Sequence, residues 1–201
     1  MSLTIRTTLE GADPAGTLFL PALRGLEGPD LDLLAMLPVC DVNGALLEAL
    51  NGRAPWPAAA PAPTVGLFLL DPFVRLPVLA ERLRAAGVRR VANYPSVQAL
   101  EGETARGLAS VGFSPVEEFA ALREMRALGF EIVGFAYGAA AARELAALGA
   151  SSVVLHPGPG DPDGRQREAL GALAAWLKPE LAARGVALHL FSPREAASRA
   201  A

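Results

Sequence analysis

The 201-residue chain holds only one cysteine, one lysine and two histidines, so nitrogen and sulfur nucleophiles and metal ligands are few. The lone Cys40 cannot close an intramolecular disulfide, which suits a reducing cytoplasm, and a buried inert thiol is its expected state. The sole lysine, Lys178, lies in AAWLKPEL within the last helical region, away from any strand end. A Schiff-base mechanism needs a desolvated lysine in the pocket, so pyridoxal phosphate is excluded, and no haem is expected. Net positive charge is also lacking: at −3 overall, the chain gives no reason to expect nucleic acid or an anionic membrane as partner. The longest apolar runs are only strand length, so no membrane span is expected. The start, MSLTIRTTLEGAD, lacks the basic-then-apolar layout of a signal peptide. HExxH, CxxC and nucleophile-elbow motifs are missing. The glycine-rich stretch GPGDPDG is acidic and lacks the lysine and Ser/Thr of a phosphate loop, which excludes a nucleotide there.

What the chain has in quantity is apolar residues, at 52%, enough for a substantial core. They fall into a phrase used four times: an Ala/Leu-rich helical run, a glycine, then a buried strand ending in polar residues. The glycines are Gly87, Gly129, Gly149 and Gly185. Glycine just past a helix adopts the left-handed conformation that closes it. A strand buried on both faces reads as a continuous apolar run. Helix, glycine and strand in series predict a parallel α/β sheet or barrel. Six strands are expected, at 17–22, 65–70, 88–94, 130–137, 151–156 and 186–191, with a short seventh at 3–7. Helices are expected at 44–50, 74–86, 116–128, 139–148 and 165–184, with a short one at 102–110 and a helical tail from Pro193. An eight-stranded barrel takes roughly 200 to 250 residues. The expectation is therefore an α/β fold: an incomplete TIM-type (β/α) barrel, or an open doubly wound sheet. The proline-rich RAPWPAAAPAPT at 53–64 reads as a connector inside one domain spanning 1–201.

In such folds ligands bind at the carboxyl ends of the strands. Polar groups collect there: Asp41, Asn43, Asp71, Asn93, Tyr94, Ser96, Glu101, Glu103, Tyr137, His156, His189 and Ser192. Each has a plainer alternative. Asp41 or Asn43 suits a helix cap, because a side-chain oxygen there accepts orphan backbone N–H groups. Asp71, before Pro72, suits an Asx turn, or it suits a carboxylate that binds a hard cation beside Glu101. His156 suits a general acid or base, or a loop histidine bonded to a nearby carbonyl. His189, within ALHLF, reads as a core histidine. Ser114, Pro115, Glu117 and Glu118 suit the start of a helix, where the dipole favours anions.

Taken in order, these segments resemble one family. LPVCDVNG carries Leu37, Pro38, Asp41 and Asn43; LLDPF carries Asp71, Pro72 and Phe73. VANYPSV carries Asn93, Tyr94, Pro95, Ser96 and Val97, followed by Gly102, and VVLHPG carries His156 and Gly158. The set is similar to the phosphoenolpyruvate hydrolase-like TIM-barrel family, which also supplies the C-terminal domain of a plant tobamovirus-resistance protein. The resemblance implies a barrel akin to the phosphoenolpyruvate mutase and isocitrate lyase superfamily, whose members act on small oxoacids, usually with Mg²⁺. The chain departs from the family at both ends, since the first P-I-I-G-x-G-x-G strand and the last G-F-x-G-A-S-S strand have no counterpart. The family's acidic pair falls on Ala109 and Ser110, its loop aspartate on Glu101, and its Thr-Thr-Gly-Gly after the histidine is missing.

Two functions are carried forward. The first is a metal-assisted lyase or hydrolase acting on a small oxoacid. It assigns catalysis to His156, Asp71 and Asn93, and Mg²⁺ to Asp71 and Glu101. Substrate contact falls to Asp41, Asn43, Tyr94, Ser96, Tyr137 and Gly158. The second is a barrel that binds a ligand or a partner without turnover. The open wall left by two missing strands is expected to be covered by residues 3–7 or by a second copy of the chain.

Overall fold

The computed structural model describes residues 3–26, 31–36, 40–54, 56–57, 60–158 and 165–191. The tail from Pro193, Ser192, the motif residues Leu37 and Pro38, and the glycine-rich loop beyond Gly158 lie outside the described residues.

Seven strands form one parallel sheet, arranged in chain order. They are β1 (Thr4–Arg6), β2 (Thr17–Phe19), β3 (Thr64–Leu67), β4 (Arg90–Asn93), β5 (Glu131–Ala136), β6 (Ser152–Leu155) and β7 (Ala187–Leu190). The helices are α1 (Leu31–Met36), α2 (Val42–Leu50), α3 (Leu76–Ala85), α4 (Gly102–Ala109), α5 (Pro115–Ala127), α6 (Ala139–Leu148) and α7 (Arg165–Ala182). The sheet curls into part of a barrel, which gives the incomplete TIM-type architecture. Residues 3–7 do supply a strand: Thr4, Ile5 and Arg6 pair with Thr17, Leu18 and Phe19. Among the described residues β1 pairs only with β2, so the sheet gains a seventh strand and stays open. Among them too, no helix is long and apolar enough to cross a membrane.

Alternation along each strand sorts the apolar residues into two cores. Val65, Val91, Ile132 and Val153 face the helices and pack with Leu83 of α3, Leu122 of α5, Leu145 of α6 and Leu177 of α7. Leu18, Ala92, Tyr94, Val133, Phe135 and Val154 face the other way and form a second cluster. That concave cluster is filled by the chain itself, with Leu20 and Leu23 after β2 and Ala35 of α1. The helix α1 was not expected from the sequence; it is only six residues long.

The four phrase-ending glycines all have positive φ, between 73° and 94°. Gly87 has a second task, because a Cβ there would lie 2.5 Å from the Trp56 carbonyl oxygen. The connector thus passes directly over the start of β4. Arg89 donates to the Pro57 and Ala60 carbonyls and Arg90 to that of Ala62, which fastens it there. On the outer rim, Arg143 of α6 pairs with Glu180 of α7 and stacks over the exposed Trp176.

Gly66 on β3 marks the closest approach inside the curl. A Cβ there would meet the Tyr94 carbonyl oxygen at 2.6 Å and Leu20 Cδ1 at 2.7 Å. Backbone cannot yield as a flexible side-chain tip does. Gly66→Ala is therefore expected to destabilise the fold by about 1–3 kcal/mol through overpacking. The check is a lower denaturant midpoint at unchanged slope.

Candidate functional site

The rim at the carboxyl ends of the strands separates into three groups of polar residues. The first is built on the helix side of the sheet. Ser114 caps α5 by accepting from the Val116 N–H, and Pro115 begins the helix. This start places Glu118 against the ends of β4 and β5, where it is 1% exposed. Glu118 Oε1 accepts from Asn93 Nδ2 at 2.6 Å, Ser96 Oγ at 2.7 Å and Gln98 Nε2 at 3.3 Å. Its Oε2 accepts from the Val97 N–H at 2.9 Å. Burial pushes the Glu118 pKa up, and the four donors pull against that. Asn93 also clasps β5, donating to the Phe135 carbonyl at 3.1 Å and accepting the Phe135 N–H at 2.7 Å. Gln98 accepts the Tyr137 N–H at 3.3 Å and so extends the network to the next residues of that strand end.

The second group lies on the concave side. His156 follows β6 and is 3% exposed. Its ring stacks on Tyr137 at 4.6 Å and lies 4.1 Å from Phe191, with Tyr94 at 5.9 Å and Phe135 at 6.4 Å. Burial lowers its pKa to about 3. Nδ1 accepts the Gly158 N–H at 3.1 Å, so the proton of the neutral ring sits on Nε2. An imidazole with this pKa is a poor general base at neutral pH and carries no acidic proton to give.

The third group joins α2 to the end of β3. Asp41, exposed, accepts the Gly44 N–H at 2.7 Å and is the cap of α2. Asn43, buried in the first turn, donates to the Phe68 carbonyl at 2.9 Å and to Asp71 Oδ2 at 3.2 Å. Asp71 Oδ1 accepts the Phe73 N–H at 2.9 Å, an Asx turn.

Asn93 and Ser96 therefore meet on Glu118. Tyr94, Tyr137, His156 and Gly158 meet around one ring, and Asn43 meets Asp71. Asp41 and Glu101 stand at the exposed starts of two different helices. Asn93 and His156 project from opposite faces of the sheet, as their neighbours Val91 and Val154 show. Among the described residues no three His, Cys, Asp or Glu side chains gather to hold a metal ion. Both Asp71 oxygens already accept hydrogen bonds, and the exposed Glu101 brings no further ligand with it. Cys40 is half-buried, and burial raises its pKa, as for an inert thiol.

Glu118 and Gln98 escaped the sequence reading. Glu118 sits in the first turn of a helix behind a serine cap, which reads as a dipole-favoured surface anion. The available signal was the spacing of Asn93, Ser96 and Gln98, three donors at one strand end that need an acceptor.

Residues 30–168 match the family model described as phosphoenolpyruvate hydrolase-like. The uncharacterized protein y4oT of Sinorhizobium fredii (strain NBRC 101917 / NGR234) is 35% identical over 138 residues, covering 69% of each chain. The match spans the Asp41–Asn43, Asp71–Phe73, Asn93–Val97 and His156–Gly158 segments, and with the half-barrel that carries them it makes the chain a member of the phosphoenolpyruvate hydrolase-like family.

Proposed function

We propose that this chain is a binding barrel without turnover, a family member that kept the frame and gave its rim over to structure. One observation carries this reading: five of the rim's polar side chains, those of Asp41, Asn43, Asp71, Asn93 and Ser96, are engaged with other side chains or with the backbone. Asn93 and Ser96 serve Glu118, Asn43 and Asp71 serve the turn after β3, and Asp41 serves α2. His156, the residue best suited to acid–base work by type, is held neutral by burial. The mouth of the curl is packed by Leu23 and Ala35 of the same chain.

A small-oxoacid site is the second reading. In its favour stand family membership and the tautomer of His156. A neutral ring with its proton on Nε2 is the form that hydrogen-bonds a carbonyl oxygen.

Thermal unfolding in the presence of Mg²⁺ with phosphoenolpyruvate, pyruvate or oxaloacetate separates the two. A ligand that binds the native state raises the midpoint by mass action. No shift is expected for the wild type with any combination. A shift in the wild type that His156→Ala abolishes would establish the oxoacid site instead.

A further inference from the structure

Phe73 is 93% exposed, an unusual state for a phenyl ring in a chain with so few aromatic residues. It is not loosely held. The Phe73 N–H is fixed on Asp71 Oδ1, and Asp71 Oδ2 is fixed in turn by Asn43 of α2. The Asn43–Asp71 pair thus presents the turn that bears this ring. Phe73 forms one wall of a groove of about 330 Å³ between α2 and α3, with Leu47, Val78 and Leu79 as apolar lining. Val78 is itself 43% exposed. Leu47 and Arg82 also line a second groove of about 610 Å³ that runs on to Arg53 and the end of α3. The two make one trough along the length of α3.

Charge indicates what fits the trough. Arg75, the N-cap of α3, and Arg82, about two turns into the helix, both line the trough, on the order of 10 Å apart along its axis. Neither has an ion-pair or hydrogen-bond partner through its side chain among the described residues. Arg53 lies at the far end, and Glu48 is the one acidic group in the lining. The trough is basic on a protein whose net charge is −3. Helices α2 and α3 supply most of its walls and no strand lines it, so an extended segment finds no sheet edge to pair with there. The ten residues of α3 span about 15 Å, which matches roughly three turns of a docked helix.

We propose that the α2/α3 trough binds an acidic amphipathic helix of a partner protein. Its apolar face covers Phe73, Val78 and Leu47, and carboxylates about seven residues apart pair with Arg75 and Arg82. The proposal deepens the binding-barrel reading and rests on it, and the peptide assay below probes the trough alone, so its failure is distinguishable from an oxoacid response at His156.

The probe is a synthetic helical peptide with leucines at i, i+3, i+4 and i+7 and glutamates flanking them seven apart. A twin peptide carries lysine at each glutamate. Fluorescence anisotropy with the full chain is expected to show the glutamate peptide binding at least about tenfold more tightly than its twin, with the preference fading at high salt. Phe73→Ser and Arg82→Glu are each expected to weaken binding about tenfold, with the melting midpoint unchanged because both side chains are exposed. Equal binding of the two peptides, or full binding by Phe73→Ser, overturns the proposal. So does sedimentation showing that the wild type self-associates and Phe73→Ser does not, since the occupant is then a second copy.

Discussion

Replacing Glu118 with alanine is expected to cost at least about 3 kcal/mol of folding stability. The side chain is 1% exposed, and four donors converge on its two oxygens. Removal strands them unequally. Asn93 keeps the Phe135 carbonyl, and Gln98 keeps both Ser96 and that carbonyl. The Val97 N–H and the Ser96 hydroxyl proton lose their acceptor in a buried space. Each orphaned donor costs about 1–3 kcal/mol, and the emptied volume adds a cavity penalty. Glu118→Gln fills the space but turns an N–H₂ group toward donors, so an intermediate loss is expected. Denaturant unfolding measures both. An alanine variant within about 1 kcal/mol of wild type would show that the network carries no net stability.

Acid is expected to weaken the fold through His156. Its pKa is about 3 in the folded chain, against 6.5 for an unperturbed histidine. Above pH 6.5 the ring is neutral in both states and contributes no pH dependence. Between pH 6.5 and 3 the unfolded chain takes up a proton that the native chain refuses, so stability falls as pH falls. Below pH 3 both states are protonated and the loss levels off, at about 5 kcal/mol for a shift of this size. Glu118 runs the other way. Its folded pKa is raised, so the native state binds its proton more readily and its burial penalty eases on acidification. His156→Leu separates the two effects. Its stability is expected to change less between pH 7 and pH 4 than that of wild type, which unfolding titrations at the two values measure. An equal pH response in the variant would assign the acid sensitivity to other groups.

The fold was largely legible because its signals are local. A run such as FEIVGFA is apolar on both faces, and a glycine stands at each helix end where φ must be positive. All six helices expected within the described residues and all six principal strands are present, with ends that differ from expectation by three residues at most. The short α1 offered too few turns for a period to show. The site was harder to read because its meaning depends on direction. Asn93 and Tyr94 are adjacent in sequence yet face opposite sides of the sheet, one toward Glu118 and the other toward His156. Asp41 and Asn43, two residues apart, separate into a helix cap and a buried clamp. The partner across a fold and the depth of burial decide such roles, and neither is written in the spacing of residues along the chain.

The sheet order, with each strand beside its predecessor, bears on how the molecule is made. Among the described strands none has to insert between two that are already paired, so a chain leaving the ribosome N-terminus first adds each new strand to an edge that exists. Most contacts join neighbouring units, which shortens the loops closed at each step and lowers their entropic cost. A barrel that closes its ring must wait for its final strand before the first has both neighbours. The seven strands described here include no such last step, and the growing edge at any moment is the most recently synthesised strand.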